Sequence, residues 1–344
     1  MKAALLAGIR KIEIRDVPGP EIENEDQVLL RIGAAGICGS DLHYYLEGGI
    51  ADQVVEFPFV VGHECAGIIE KAGRRVMRLK PGDRVAVDPA IVCGRCDQCR
   101  MGRPNTCRVL LYLGTPGQLP GSLCEYIVVP ERNCFLLGAD MSLAEGVLVE
   151  PLSIAVYSFK VLKPCPRAIA VLGAGPIGLS VCLTARACGV GRIYLTDRIA
   201  ERVEASRTAG ATWSANPLQT DIVAEIQKLE PGGLDAVFEC CGDQAALDQA
   251  IDLLKPGGKL MILGIPASRR VSFDIHALRR REITVHNVRR QRHSIPEAIA
   301  LIQRKKVDVC FLATHEFKLE ETAPAFELAA GYRHGVLKAI IRPY

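Results

Sequence analysis

The sequence contains no apolar run long enough to span a membrane. Its opening, MKAALLAGIRKIEIRD, meets charge too early for a secretory leader. A cytoplasmic chain with no membrane partner is expected. A dominant charge sign is also missing: 42 Lys and Arg against 39 Asp and Glu leave +3. No strong field therefore draws the chain to nucleic acid or to anionic lipid. Arginines do gather at Arg269–Arg270, Arg279–Arg281 and Arg289–Arg292. A solvated surface or subunit contact is the plainer account of them, and an anion site the minority one. Internal repeats and low-complexity tracts are absent. What remains is the composition of a soluble globular protein, 49% hydrophobic and 24% charged, long enough at 344 residues for two domains. Its 14 cysteines, in a reducing compartment, are expected to be thiols or metal ligands rather than disulfides.

The pattern changes along the chain. Short strands such as KIEIRDV, QVLLRI, GIIEKAG, RVAVDPA and CEYIVV, punctuated by glycine and proline, fill the first 160 residues. Around MSLAEGVLVEPLSIAVYSFKVL the apolar spacing becomes helical. Beyond it, apolar strands (AIAVLGA, RIYLTD, DAVFECCG, KLMILGIP) alternate with helical segments at 200–209 and 243–254. That alternation predicts a parallel sheet covered by helices on both faces. The C-terminal IPEAIALIQRKK and EETAPAFELAAG are helical, and the chain closes on the apolar LKAIIRP. Periodicity does not say which domain takes this last part.

VLGAGPIG spaces Gly173, Gly175 and Gly178 as G-x-G-x-x-G between a strand and an apolar helix, with Asp197 ending the next strand about twenty residues on. Gly173 permits the tight turn, Gly175 lets backbone approach a pyrophosphate, and Gly178 lets helix and sheet pack closely. Asp197 would accept from the adenosine ribose hydroxyls and repel a 2′-phosphate, which favours NAD. Arg198 and Arg202 soften that repulsion.

CGRCDQCRMGRPNTC sets thiols at Cys93, Cys96, Cys99 and Cys107. Such spacing lets four sulfurs converge on one tetrahedral Zn²⁺, and a zinc so enclosed is structural. Interleaved arginines raise a nucleic-acid module as a rival, but no basic helix follows the cluster. A catalytic metal would instead need three protein ligands and an open position. GICGSDLHYY offers Cys38, VVGHECAG offers His63 and Glu64, and LVEPLS offers Glu150, a carboxylate in an apolar segment that calls for a cation or a strong donor. Taken singly, a buried cysteine is core and a glutamate before proline opens a helix. It is their conjunction with a dinucleotide turn that points to a metal centre.

With GICGSDLHYY, GHECAG, PGDRVAV, CGRCDQCRMGRPNTC, VEPLS, VLGAGPIG, ECCG and NVRR in this order, the chain resembles the zinc-dependent medium-chain alcohol dehydrogenases. Within them it is most similar to the sorbitol (L-iditol 2-) dehydrogenase, or polyol, branch. The resemblance implies an α/β fold in two parts. One is a GroES-like β-rich catalytic domain over 1–157 with a structural zinc lobe at 93–107. The other is a Rossmann doubly wound parallel-sheet domain over 158–290, after which 291–344 return to the catalytic domain.

It implies Cys38 and His63 as ligands of the catalytic zinc, with Glu64 or Glu150 completing the set, and Asp41 orienting His63. Ser40 and His43 would pass the alcohol proton to solvent. Gly173, Gly175, Pro176, Ile177, Gly178, Asp197, Arg202, Cys241 and Leu263 would line NAD. Tyr44, Glu150 and Arg289 would meet a hydroxyl-rich substrate, Arg290 being a rival to Arg289. The implied activity is oxidation of a polyol's secondary alcohol to a ketose by a homo-oligomer, tetramer or dimer, with two zincs per chain. L-Threonine or a vicinal diol such as 2,3-butanediol is the alternative substrate. A non-catalytic zinc- and nucleotide-binding regulator is the alternative of another class.

Overall fold

The computed structural model describes all 344 residues, which form two compact units. Unit one holds Met1–Glu150, Ile295–Lys305 and Val309–Tyr344, and unit two holds Pro151–Ser294 and Lys306–Asp308. The chain crosses at Glu150–Pro151, inside the helix Leu143–Val161, and returns at Ser294–Ile295, against the expected 157–158 and 290–291.

In unit one the longest strand, Gln27–Gly36, buries Val28, Leu30 and Ile32 in alternation, the period of a sheet with one face on a core. It pairs antiparallel with Glu64–Ala72, Tyr126–Pro130 and the C-terminal strand Lys338–Arg342. The register sets Gly36 opposite Glu64 on one side and opposite Ile340 on the other. Arg84–Val87 and Cys134–Leu136 extend the sheet beyond Glu64–Ala72, and Ala313–Lys318 lies outside the C-terminal strand. The core below includes Leu30, Ile32, Tyr45, Ile69, Leu123 and Phe326, all buried. Residues from both ends of the chain thus share one apolar interior.

Unit two is a six-stranded parallel sheet, ordered Trp213–Ala215, Arg192–Thr196, Ala168–Leu172, Leu234–Glu239, Leu254–Ile262, Thr284–Asn287. In chain order this is 3-2-1-4-5-6, the doubly wound arrangement whose crevice opens at the carboxyl ends of the first and fourth strands. The central strand Ala168–Leu172 is buried at every position, as a strand covered on both faces must be.

Candidate active site

Three segments of unit one meet at the register point Gly36–Glu64. The strand ending at Gly36 turns into the helix Gly39–Glu47, whose N-cap is Cys38 in extended conformation. Asp41, in the first helical turn and fully buried, accepts from the Cys38 amide at 2.9 Å through one oxygen. Its other oxygen accepts from the Gly62 amide at 3.1 Å and lies 3.7 Å from His63 Nδ1. One carboxylate therefore ties together the two segments that carry Cys38 and His63 and faces the imidazole. Gly62 has φ +96°, and Gly114 packs so closely on it that a Cβ at 114 would stand 2.5 Å from the Gly62 carbonyl oxygen. That left-handed turn aims His63 inward beside Glu64.

Cys38, His63 and Glu64 each offer a ligand atom, and these atoms all lie within 4.8 Å of one another. Burial would depress the His63 imidazole, yet Asp41 and the Cys38 sulfur hold its pKa well above the ordinary value. A cysteine sulfur, an imidazole and a carboxylate so placed suit Zn²⁺ in its catalytic, three-ligand form.

Glu150 stands apart from that trio. It lies buried mid-helix rather than at a helix start, and its Oε1 accepts from the Tyr112 hydroxyl at 3.0 Å. Burial lifts its carboxyl to about 7, with His63 opposing and Glu64 adding to the rise. The Tyr112 ring also packs on His63, centroids 5.3 Å apart. Glu64, by contrast, is gripped by a residue that the sequence patterns had not singled out. Lys338 Nζ reaches Glu64 Oε1 at 2.8 Å and Oε2 at 2.5 Å, with both side chains 2% exposed. Burial would strip the Lys338 proton, but Glu64 and Cys38 more than compensate and raise its pKa.

Along the helix, Ser40 is half-buried and His43 Nδ1 lies 3.5 Å from Glu47. Tyr44 is buried with its hydroxyl donated to Gln53 at 3.0 Å. Arg289 is exposed just past the last strand of unit two, and the neighbouring Arg290 takes a positive φ of 53°.

The four-cysteine loop closes as a cage. All four sulfurs lie within 4.8 Å of one another, Cys93 to Cys107 at 3.5 Å and Cys96 to Cys107 at 3.9 Å. Ligands at the usual Zn–S length on a tetrahedron would be about 3.8 Å apart. Amides of Arg108 and Cys99 lower the Cys96 thiol to about 6, and Arg108 clamps Asp97 at 2.5 and 2.7 Å. The donor set fits a structural zinc.

In unit two Gly173 has φ +102°, and a Cβ on Gly178 would come within 1.8 Å of the Gly173 carbonyl oxygen. Both positions demand glycine. The helix Pro176–Ala187 begins with Gly175 as N-cap, Pro176 in its first turn and no side chain on its leading amides. Ile177 follows Pro176 there. The nearest atom to a Cβ on Gly175 would be Arg202 Nη1 at 3.6 Å, which leaves the approach open for an anion at the helix start. Asp197 is fixed by the amides of Ala174 (2.7 Å) and Ile199 (2.9 Å), with Arg202 3.9 Å away. Arg198 is turned to Asp243 at 3.0 Å. Cys241 packs against the Gly173 turn, and Leu263 lines a cavity of about 210 Å³ with Glu239, Gly242 and Asn287. The buried Glu239 accepts from the Cys241 and Gly242 amides at 2.7 and 2.5 Å, holding that turn. These residues fit a dinucleotide.

Comparison with known proteins agrees. The family described as "Alcohol dehydrogenase GroES-like domain" matches residues 24–139, and "Zinc-binding dehydrogenase" matches 176–304. The sorbitol dehydrogenase of Bacillus subtilis (strain 168) is 38% identical over 100% of this chain and 97% of its own length. Among solved structures, a zinc-binding dehydrogenase from Sinorhizobium meliloti 1021 bound to NADP superposes with TM-score 0.91, at 30% identity over 99% of each chain. An alcohol dehydrogenase from Escherichia coli CFT073 complexed with NADH gives 0.89, at 28% identity and 99% of each chain. The chain belongs to the zinc-dependent medium-chain alcohol dehydrogenases, in their sorbitol dehydrogenase-like polyol branch, and is an oxidoreductase.

Proposed function

We propose that the protein oxidises a secondary alcohol of a polyol of the sorbitol or xylitol type to a ketose, with hydride passing to NAD. The observation that carries this reading is the convergence of Cys38, His63 and Glu64 within 4.8 Å, with Tyr112 packed on His63 and donating to the buried Glu150. When bound, the zinc supplies Lewis acidity that lowers the alcohol pKa, and the dinucleotide supplies the hydride acceptor. Cys38 as thiolate, His63 and Glu64 hold the metal, and Asp41 fixes the His63 tautomer. Ser40 and His43 carry the alcohol proton outward, since both are half-buried on the helix that Cys38 opens. Glu150, Tyr44 and Arg289 provide the polar contacts that favour a substrate rich in hydroxyls over a simple alcohol. Cys93, Cys96, Cys99 and Cys107 hold a second, structural zinc.

Gly173, Gly175, Pro176, Ile177 and Gly178 seat the pyrophosphate, and Cys241 and Leu263 border the cofactor. Asp197 selects NAD, because its carboxylate would meet a 2′-phosphate with like charge. Arg202, at 3.9 Å, tempers that charge without cancelling it. The working form is assigned as a cytoplasmic homo-oligomer, tetramer or dimer, following the resemblance; light scattering tests the subunit number.

Initial rates of NADH formation with sorbitol, xylitol, L-threonine and 2,3-butanediol, run beside a zinc count, test the reading. Turnover of a sugar alcohol with two zincs per chain is expected. Turnover of threonine or butanediol alone would reassign the substrate, and one zinc per chain with no turnover would favour a regulator. Asp197→Ala should raise KM for NAD and narrow its advantage over NADP; an unchanged preference would remove Asp197 from that role.

A further inference from the structure

The chemistry above makes no use of Lys338, buried against Glu64. Lys338 opens the C-terminal strand, and its ammonium meets both Glu64 oxygens and the Ile37 carbonyl oxygen at 3.0 Å. Ile37 immediately precedes Cys38, so a single cation fastens the Glu64 carboxylate and the backbone that presents the Cys38 thiol. The same carboxylate reaches within 4.8 Å of the Cys38 and His63 donor atoms. An internal cation and a cation site therefore share one acidic side chain. Gly36 leaves the room that this carboxylate fills: a Cβ there would stand 2.5 Å from Glu64 Oε2 and 2.8 Å from Val147.

We propose that Lys338 is a positioning residue that competes with the catalytic metal for Glu64 and thereby limits how tightly the metal is held. The proposal rests on the assignment of Cys38, His63 and Glu64 as the metal's ligands. A buried carboxylate left without a partner is strongly unfavourable, and in the metal-free protein Lys338 meets that need. With metal present the carboxylate faces two cations, and each weakens the other's hold. Removing Lys338 penalises the metal-free state more than the loaded one, so by linkage the metal binds more tightly. A lysine acting only as a packing strut would leave metal affinity unmoved.

The test uses the full-length zinc-loaded enzyme with Lys338→Met, Lys338→Arg, Glu64→Gln and the double variant E64Q/K338M. Three quantities are read: release of the accessible zinc to a chelator, melting of metal-free and loaded forms, and the visible spectrum with cobalt in that site. Lys338→Met is expected to release zinc on the order of tenfold more slowly. Its metal-free form should lose more melting temperature than its loaded form, and its cobalt bands should shift as Glu64 moves onto the metal. Lys338→Arg, which keeps the charge, should return release toward the parent rate. On the Glu64→Gln background, Lys338→Met should change nothing.

Release from Lys338→Met at or above the parent rate would overturn the proposal, as would an effect that persists undiminished on the Glu64→Gln background. If Lys338→Met does not fold, Lys338→Gln, which removes the charge but keeps a hydrogen-bond donor toward Glu64, takes its place, and release no slower than the parent's from that variant would equally overturn the proposal. Metal that never occupies the Cys38–His63–Glu64 site overturns the functional reading as well. Metal that binds there but leaves independently of Lys338 overturns only this inference.

Discussion

Asp41 shows how much one side chain can organise. It is acidic because it must accept from two backbone amides and still face an imidazole, and it is buried because the helix Gly39–Glu47 begins against the core. Asp41→Asn keeps the shape but replaces an acceptor with an amide that can donate. It should lower affinity for the accessible zinc by about tenfold to a hundredfold, the usual cost of losing a carboxylate behind a metal-binding histidine, while the cysteine-caged zinc stays. Chelator titration followed by metal analysis checks this; equal loss of both zincs would mean general unfolding instead. Asp41, Cys38, His63 and Glu64 were legible in the sequence because they fall in two short motifs. Tyr112 and Lys338 were not. Lys338 lies 274 residues from Glu64, and its only sequence mark is a charge opening an otherwise apolar strand, GVLKAII. Tyr112 sits in LLYLG, where an aromatic reads as core.

At the scale of elements, strand and helix positions followed from apolar period and glycine punctuation, and the dinucleotide turn from its spacing. Gly178→Ala should destabilise unit two by about 3 kcal/mol, because the new methyl must displace the Gly173 carbonyl rather than a movable side chain. It should also raise KM for NAD. Wild-type melting behaviour in this variant would contradict the turn geometry.

The foot of the same sheet is pinned by Asp235, which accepts from the Arg167 and Ala168 amides at 2.7 and 3.0 Å and pairs with Lys255. Burial pushes its carboxyl upward, but Lys255 and the two amides outweigh it and leave the pKa below the ordinary 3.8. A group depressed on folding stabilises the fold above its unfolded pKa and loses that contribution as pH falls through its folded value. Asp235→Asn should therefore cost about 1 kcal/mol at neutral pH and progressively less below pH 3.8, as seen by denaturant melts across that range. A cost that did not vary with pH would assign the effect to packing. The short helix Gly39–Glu47 was the element least visible beforehand. Its run GSDLHYYLE mixes polar and aromatic residues without a clean stripe, and it is fixed by the Asp41 cap and by the Tyr45 ring packing at a tilt on Phe326.

Across the whole molecule, the chain builds unit one from both of its ends. Strand Lys338–Arg342 pairs with Gln27–Gly36, and that pairing delivers Lys338 to Glu64 and to the backbone just before Cys38. Periodicity in LKAIIRP specifies a buried strand but not its neighbour, since any apolar edge would satisfy it. The destination of the last fifty residues came instead from the resemblance carried by the upstream motifs. Near-balanced charge provides no strong field for a polyanion, and no helix of the structure is long and apolar enough to cross a membrane.

Sugar-alcohol oxidation measured before and after selective removal of the accessible zinc tests the account most directly, with metal analysis confirming that the Cys93–Cys96–Cys99–Cys107 ion remains. NADH formation from sorbitol or xylitol should vanish with that one ion and return when zinc is restored. Oxidation that continues at the original rate with only the caged zinc present would contradict it.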